Sequence, residues 1–207
     1  MNQLNSFINK KIKEAELRRK LLHIMIGIVS LILIVYNIVT PFIIFIILAI
    51  GIFSSLLSLK FNIPVINFFL KNFERANDRK RLPGRGIIFA VAGSLLALQL
   101  FERNIALASI IILTFADPVS HLVGKLFGKT RSFLDERKNI EGNIAGFIVS
   151  SLFAMFFVAP ALAISGALIA MLFESIIIEI QKIQLDDNLI IPLAAGTTMI
   201  LIVRFFM

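Results

Sequence analysis

Long apolar runs dominate this sequence and set the environment in which the chain folds. A helix needs about 20 apolar residues, within a range of roughly 17 to 25, to cross a hydrocarbon core of about 30 Å. With 58% hydrophobic and 16% charged residues, the chain is far more apolar than an average soluble domain. We therefore expect an all-α, polytopic integral membrane protein with about seven transmembrane helices, at 21–40, 41–59, 86–102, 105–128, 143–160, 161–180 and 189–206.

The basic residues predict the orientation of these helices, because Lys and Arg concentrate in cytosolic loops. With the N-terminus in the cytosol, all of the 21 Lys and Arg residues except Arg103 and Arg204 fall on the cytosolic side. No small-residue cleavage site follows the first run at the expected distance, so we expect that helix to be retained rather than removed as a signal peptide.

This topology predicts the domain organisation and the location of the protein. A cytosolic amphipathic segment at 1–20 precedes a single membrane domain at 21–207, whose cytosolic loops lie at 60–85, 124–141 and 180–188. Within the first loop, 62–73 is expected to form a helix at the membrane interface. The protein is expected in the cell membrane as a multi-pass protein, or in the endoplasmic reticulum membrane if the source is eukaryotic.

Composition narrows the classes of function. The net charge of +8 follows from membrane topology and so does not indicate nucleic acid, although basic loops also attract anionic lipid headgroups and nucleotide phosphates. The absence of Cys excludes disulfides, thiolate catalysis and Cys-ligated metals. Two histidines, His23 and His121, are too few for a zinc site without carboxylate help.

Two acidic residues are expected inside the membrane. An ionised carboxylate is energetically costly there, so each of the two indicates a functional site. About twelve residues, or some 18 Å of helix, separate Asp117 from the outer end of its run. Pro118 cannot donate a backbone hydrogen bond, so the sequence predicts a broken helix in which Asp117 caps a second, shorter helix at 118–127. Glu174 reaches a similar depth, which predicts one site for the two acids.

The polar residues after Asp117 suit a polyphosphate. Ser120 or His121, Gly124 and Gly128 recur at intervals of three and four and so share a helix face. Glycines there allow either close approach to a phosphate or tight helix packing. Fixed cations beside these glycines favour the phosphate interpretation over simple packing. Carboxylates near a phosphate chain in turn indicate Mg²⁺. The cations are Lys125, Lys129, Arg131, Arg137 and Lys138.

For several polar residues the sequence also allows a simpler, purely structural interpretation. His23 suits a boundary residue bonded to neighbouring backbone, and Arg19 and Lys20 suit anchors that only set orientation. Asp186 and Asp187 are equally consistent with solvated loop charges.

Taken in order, the motifs resemble those of the CTP-dependent lipid kinases. They are Arg19-Lys20-x-x-His23, Pro83-Gly84-x-Gly86, Asp117-x-x-Ser120-x-x-x-Gly124-x-x-x-Gly128-Lys129, Lys138-x-x-Glu141-Gly142, and Glu174 with Asp187-Asn188 and Pro192. The chain resembles dolichol kinase, phytol kinase and the fungal-type diacylglycerol kinase from residue 18 onward, and more distantly phosphatidate cytidylyltransferase. It departs from the pattern at Ser120, where the family commonly has Ala, and at Asn139 and Ile140, where the family commonly has Lys-Ser or Lys-Thr.

The resemblance implies transfer of the γ-phosphoryl group of CTP to the hydroxyl of a polyprenol-type lipid alcohol, of the dolichol, phytol or geranylgeraniol class, at the cytosolic face. It implies Mg²⁺ at Asp117 and Glu141, with Glu174 or Asp187 as the base. The partners are then CTP, the lipid alcohol and membrane lipids, with an oligomer possible. The residues implied to contact the nucleotide are Arg19, Lys20, His23, Ser120, Gly124, Gly128, Lys129, Lys138, Gly142 and Asn188.

Three rival functions remain open from the sequence. A CTP-dependent cytidylyltransferase acting on a lipid phosphate and a CTP-dependent diacylglycerol kinase would use similar groups. A small transporter or flippase would use Asp117 and Glu174 as ion-coupling carboxylates. The concentration of polar residues on one face disfavours transport, which requires access from both sides.

Overall fold

The computed structural model describes residues 2–74, 82–132, 138–175, 179–180, 183–184 and 186–206. These ranges contain eight α-helices, and residues 179–184 contribute a two-residue antiparallel hairpin between the last two of them. The helices are α1 Asn2–Val35, α2 Pro41–Lys60, α3 Pro64–Phe73, α4 Arg85–Leu100, α5 Arg103–Phe127, α6 Ile140–Ala154, α7 Pro160–Ser175 and α8 Asp187–Phe206, and the strands are β1 Glu179–Ile180 and β2 Ile183–Gln184.

The helical fold class agrees with the sequence, while only three of the described helices are both long enough and apolar enough to span a membrane. In the described part of the chain, α2, α5 and α8 are long and apolar enough to cross a membrane, and α4, α6 and α7 are apolar but have 16, 15 and 16 residues. A 16-residue helix is about 24 Å long, less than the hydrocarbon core of about 30 Å. Seven spans and a cytosolic N-terminus stay predictions.

Helix α5 forms the centre of the fold. Its residues from Ile105 to Ala116 are all buried, and it packs against α1, α4, α6, α7 and α8. A helix that is apolar on all sides is stable only when other elements surround it. Its buried hydroxyls are bonded within the helix, because Ser109 Oγ donates to the Ile105 carbonyl at 2.7 Å and Thr114 Oγ1 to the Ile110 carbonyl at 2.8 Å.

The predicted break at Asp117-Pro118 is wrong. Helix α5 continues through Pro118 to Phe127. Proline removes one backbone hydrogen bond from a helix, but neighbouring helices compensate for such a loss within a membrane bundle, and Pro118 is fully buried among them. Asp117 is therefore an interior helix residue, not the cap of a second helix.

Other boundaries differ more modestly. Helix α1 continues from the predicted cytosolic segment into the predicted first span without interruption and ends at Val35, and Thr40 then caps α2 by accepting from the Ile43 N–H at 3.4 Å. The predicted helix at 161–180 does not reach residue 180, because Glu179–Ile180 forms β1, and the described part of α7 is Pro160–Ser175. The helix expected at 62–73 is α3. Residues 75–81 of the first predicted loop and Arg137 of the second lie outside the described residues.

Candidate active site

A buried ion pair joins α1 to the central helix. The Lys20 Nζ donates to Asp117 Oδ2, and Lys20 is 7% exposed. Gly27 allows this close approach, because a Cβ atom there would lie 2.5 Å from the Thr114 side chain. His23, one turn after Lys20, lies within electrostatic range of Asp117. The aspartate expected to be costly in the membrane thus has a fixed cation as its partner.

A second ion pair lies beside the first. The Lys138 Nζ is 2.9 Å from Glu174 Oε1 and also donates to the Glu174 carbonyl oxygen. Glu174 is 3% exposed, and its Oε2 has no hydrogen-bond partner among the described residues. Asp117 and Asp187 are both within electrostatic range of Glu174. Three carboxylates and two ammonium groups therefore converge, which brings together the acids that the sequence placed at one depth.

Side-chain amides hold the segment that carries Lys138. Asn139 Nδ2 donates to the Gly124 carbonyl at 2.6 Å, which fixes this segment against the end of α5. Ser120 Oγ donates to Asn143 Oδ1 at 3.0 Å, and Asn143 Nδ2 donates to Ser175 Oγ at 2.7 Å. These bonds join α5, α6 and α7 around the site. Asn143 was not predicted, and its signal was its position at the polar start of an apolar run.

Glu141 has a different environment from the other acids. Its Oε1 accepts the backbone N–H groups of Lys129 and Thr130 at 3.1 and 3.0 Å. Hydrogen bonds from its own backbone and from those two N–H groups lower the pKa of Glu141. The carboxylate thus holds the turn after α5, which carries Lys129. Its assignment as a catalytic residue and metal ligand stays a prediction.

The glycines of the motif pack helices tightly. A Cβ atom at Gly142 would lie 2.2 Å from the Ser120 carbonyl oxygen, and one at Gly128 would lie 2.2 Å from the Gly124 carbonyl oxygen. Gly124 and Gly142 are buried where α5 meets α6. Close packing is therefore a structural role of these residues, and contact with nucleotide stays a prediction.

A second polar network precedes α8. Arg85 Nε is 3.0 Å from Asp186 Oδ2, and Asn188 donates its backbone N–H and its Nδ2 to Asp186 Oδ1 at 3.1 and 2.8 Å. Burial raises the pKa of Asp186, against the hydrogen bonds from Asn188 and the charge of Arg85. Asp186 is therefore not a solvated loop charge. Its network holds the first turn of α8, where Asp187 is located.

The Pro83-Gly84-x-Gly86 motif also has a local role. Gly84 has a φ of 79°, a left-handed conformation that glycine adopts without steric cost. The backbone N–H groups of Gly84 and Arg85 donate to Glu74 Oε1 at 2.7 and 3.1 Å. The motif therefore begins α4 and orients Arg85 toward Asp186.

A third cluster ties the N-terminal part of α1 to the end of α5. Glu16 Oε2 is 3.2 Å from His121 Nε2 and 2.6 Å from Lys125 Nζ. Burial opposes ionisation of Glu16, but the hydrogen bond from Lys125 and interaction with His121 prevail and lower its pKa to about 2. Glu16 was not predicted, because only the packing of α1 on α5 places it opposite these cations.

One cavity of about 1070 Å³ contains most of the predicted site. Every predicted catalytic or nucleotide-binding residue lines it except Glu141 and Gly142. Its polar end holds the Lys20–Asp117 and Lys138–Glu174 pairs. The cavity continues between α1, α2, α4 and α5 as an apolar limb, which we define by Ile26, Leu33, Ile34, Ile44, Ile47 and Val91.

The carboxylates fit a magnesium–nucleotide complex better than an isolated ion. No group of three or more His, Asp or Glu side chains positioned to hold a metal occurs in the described ranges. Mg²⁺ usually takes one or two carboxylates and completes its shell with water and substrate phosphates. Asp117 and Asp187 could supply them, since a carboxylate that accepts one hydrogen bond retains further acceptor sites.

Comparison with known proteins gives two distant relatives. The chain is 25% identical over 147 residues to CTP-dependent diacylglycerol kinase 1 of Eremothecium gossypii. The aligned region covers 58% of this chain and 45% of that kinase. The chain is 27% identical over 188 residues to an uncharacterized protein of Methanocaldococcus jannaschii, which covers 86% of this chain and 88% of the relative. No family model and no solved structure matches the chain. The chain thus spans less than half the length of the kinase and is distantly similar to a CTP-dependent lipid kinase.

Proposed function

We propose that this protein is a membrane-bound CTP-dependent lipid kinase that transfers the γ-phosphoryl group to the hydroxyl of a polyprenol-type lipid alcohol. The observation that carries the proposal is a single cavity in which paired acids and cations meet an apolar limb. A phosphorylated headgroup and a hydrocarbon chain need these two environments side by side. The distant similarity to a CTP-dependent diacylglycerol kinase supports the donor and the reaction class.

Phosphoryl transfer requires mainly alignment and charge neutralisation. The lipid hydroxyl oxygen forms a bond to the γ-phosphorus, the bond from that phosphorus to the β,γ-bridging oxygen breaks, and its electron pair leaves with CDP. Lys20, Lys138 and Lys129 are the proposed phosphate cations. Mg²⁺ at Asp117 and Asp187 would supply further charge neutralisation on the phosphates.

Glu174 is the proposed base. It lines the cavity, is 3% exposed and has an oxygen, Oε2, that no described residue engages. A general base must lie within hydrogen-bond reach of the proton that it accepts, and this oxygen offers an unoccupied acceptor site for the lipid hydroxyl. Asp187, which lines the same cavity, is the alternative base in a site where it does not hold Mg²⁺.

The decisive test incubates purified protein with Mg²⁺, γ-labelled CTP or ATP, and geranylgeraniol, longer polyprenols or diacylglycerol. We expect label to enter the lipid phase from CTP with a prenol acceptor, and CDP to be released. Glu174→Gln should abolish the transfer, whereas Glu102→Gln, at the start of α5, should retain it. Transfer to diacylglycerol alone would replace the acceptor in the proposal. Release of pyrophosphate with a lipid phosphate would overturn the kinase in favour of cytidylyl transfer.

A further inference from the structure

The apolar limb of the cavity extends along α1 away from the polar cluster. Its residues on α1 run from Ile26 to Ile34. The eight residues of helix between them correspond to about 12 Å, a little under half of a hydrocarbon core of about 30 Å. A cytidine triphosphate headgroup at the polar end would leave this length unfilled. The limb therefore suits a hydrocarbon chain lying roughly parallel to the helices.

The limb also opens sideways. Among the described residues, α1 and α2 do not pack closely along their length, since α1 packs on α5 and α3 whereas α2 packs on α4. Ile26 of α1 and Ile47 of α2 both line the cavity, yet they are 42% and 47% exposed. Residues that line a cavity and remain exposed mark its mouth. Beside this mouth α2 exposes further apolar side chains, among them Phe45 and Ile50, and lipid tails would cover such a surface.

We propose that the limb holds the hydrocarbon chain of the lipid alcohol and that the chain enters from the bilayer through the opening between α1 and α2. The identity of this occupant rests on the proposed function. Continuity of the limb with the polar cluster carries the argument, because a chain in the limb presents its terminal hydroxyl to Glu174 and the phosphate cations. A chain longer than the limb leaves through the lateral opening. The site therefore accepts acceptors of different length.

The natural chain contains no cysteine, so one introduced thiol can be modified selectively after folding. We choose Ile47→Cys, which places the thiol at the mouth, and Ile46→Cys as its matched control. Ile46 is the next residue of α2 and is similarly exposed, at 41%, but does not line the cavity. Each variant is reconstituted into liposomes, treated with a benzyl methanethiosulfonate and assayed with CTP and geranylgeraniol before and after reduction.

Modification at position 47 should lower kcat/KM for geranylgeraniol about 10-fold or more, because the attached benzyl group would block the mouth of the limb, and a 10-fold change corresponds to about 1.4 kcal/mol. Reduction should restore activity, and the affinity for CTP should stay unchanged. Modification at position 46 should have less than about a 2-fold effect. Equal effects at the two positions, or no effect at either, would overturn the assignment of the limb.

A binding measurement separates failure of this inference from failure of the proposed function. A benzophenone derivative of geranylgeraniol is photolysed with the wild-type protein in liposomes, and the labelled peptides are mapped. Label on 26–34 of α1 and 44–47 of α2 that excess geranylgeraniol displaces would support the chain site even if no phosphoryl transfer were seen. Label elsewhere, or label that only bulk phospholipid displaces, would overturn it even in an active enzyme.

Discussion

Lys20 and Asp117 neutralise each other in a position where neither charge would be stable alone. The ion pair joins α1 to α5 and lies in the cavity that also contains Glu174. Breaking such a buried pair by removing one partner typically destabilises a protein by about 3–5 kcal/mol, whereas removing both charges can be nearly neutral. The pair therefore has a structural role that can be separated experimentally from its proposed role in phosphoryl transfer.

Asp117→Asn should lower the thermal stability in detergent and abolish label transfer, because it leaves Lys20 buried without its counter-ion. The double variant Lys20→Met with Asp117→Asn should recover stability but not turnover, if Asp117 also acts on the nucleotide. Thermal unfolding and the γ-label assay measure the two effects independently. Full activity in the double variant would remove both residues from the proposed chemistry.

Glu16 predicts a pH dependence with a defined sign. Its pKa falls from an ordinary value of 4.5 to about 2 on folding, so its stabilising contribution is complete above about pH 4.5 and is lost as the pH falls toward 2. The side chain is 25% exposed, so a contribution of about 1 kcal/mol is expected. Glu16→Gln should therefore reduce thermal stability at pH 7 more than at pH 3. Exposed Glu14→Gln should show no such difference, and a larger effect of Glu16→Gln at pH 3 would contradict the assignment.

At the level of elements, the continuity of α5 determines where Asp117 is held. Asp117 is an interior residue of α5 whose partner is Lys20 of α1, and it does not lie at a helix terminus. Pro118→Ala restores a backbone N–H that can bond the Thr114 carbonyl, and it leaves a small space where the ring was packed. These two effects oppose each other.

We therefore expect Pro118→Ala to change stability by no more than about 1–2 kcal/mol and to retain activity within a few-fold. Circular dichroism, thermal unfolding and the γ-label assay check this expectation. If the proline instead created a functional helix start at Asp117, the variant would fold normally and lose activity.

The contact between α5 and α6 depends on Gly142. Gly142→Ala should destabilise the protein by about 1–3 kcal/mol, because the new Cβ atom would lie 2.2 Å from the Ser120 carbonyl oxygen and overpacking carries a penalty of that size. Alanine favours a helix over glycine by about 1 kcal/mol, so a net loss isolates the packing effect. Thermal unfolding measures it, with exposed Ile144→Ala as the control. Unchanged or increased stability in Gly142→Ala would contradict the close contact.

At the level of the whole molecule, polar groups concentrate at one end of the described helices. The other end has its own contact, in which Arg103 donates to Asn37 Oδ1 at 2.8 Å and to the Val35 carbonyl at 2.9 Å. This arrangement holds the turn between α1 and α2 against the start of α5. Two exposed residues can therefore test the predicted topology: Thr130 lies near the site, and Tyr36 lies in the turn at the opposite end.

Single cysteines at these two positions should label from opposite sides of the membrane. In intact cells, Tyr36→Cys should react with a membrane-impermeant maleimide, whereas Thr130→Cys should react only after permeabilisation. The reverse pattern would invert the predicted orientation. Labelling of both from one side would show that the chain between them crosses the membrane an even number of times.

The sequence predicted which residues line the cavity better than it predicted how they are arranged. All the predicted site residues except Glu141 and Gly142 line one cavity, because charged residues in apolar runs stand out from their neighbours. Glu16 and Arg85 gave no comparable signal, and Asn143 gave only its position at the polar start of an apolar run. Each obtains its role from a partner far along the chain, such as Lys125 for Glu16, and a local pattern does not show which helices will meet.

The sequence by itself determined that the chain forms apolar helices and that its polar chemistry gathers near Asp117 and Glu174, since hydropathy and charge are properties of short segments. Tertiary structure alone decided that α5 is central and unbroken, that Lys20 neutralises Asp117, and that α1 and α2 pack on different helices on either side of the apolar limb. Those outcomes depend on which small residues permit close helix contacts, as Gly27 does against Thr114. Such packing depends on contacts between segments that are distant in the chain, because steric fit and charge pairing act only once those segments meet.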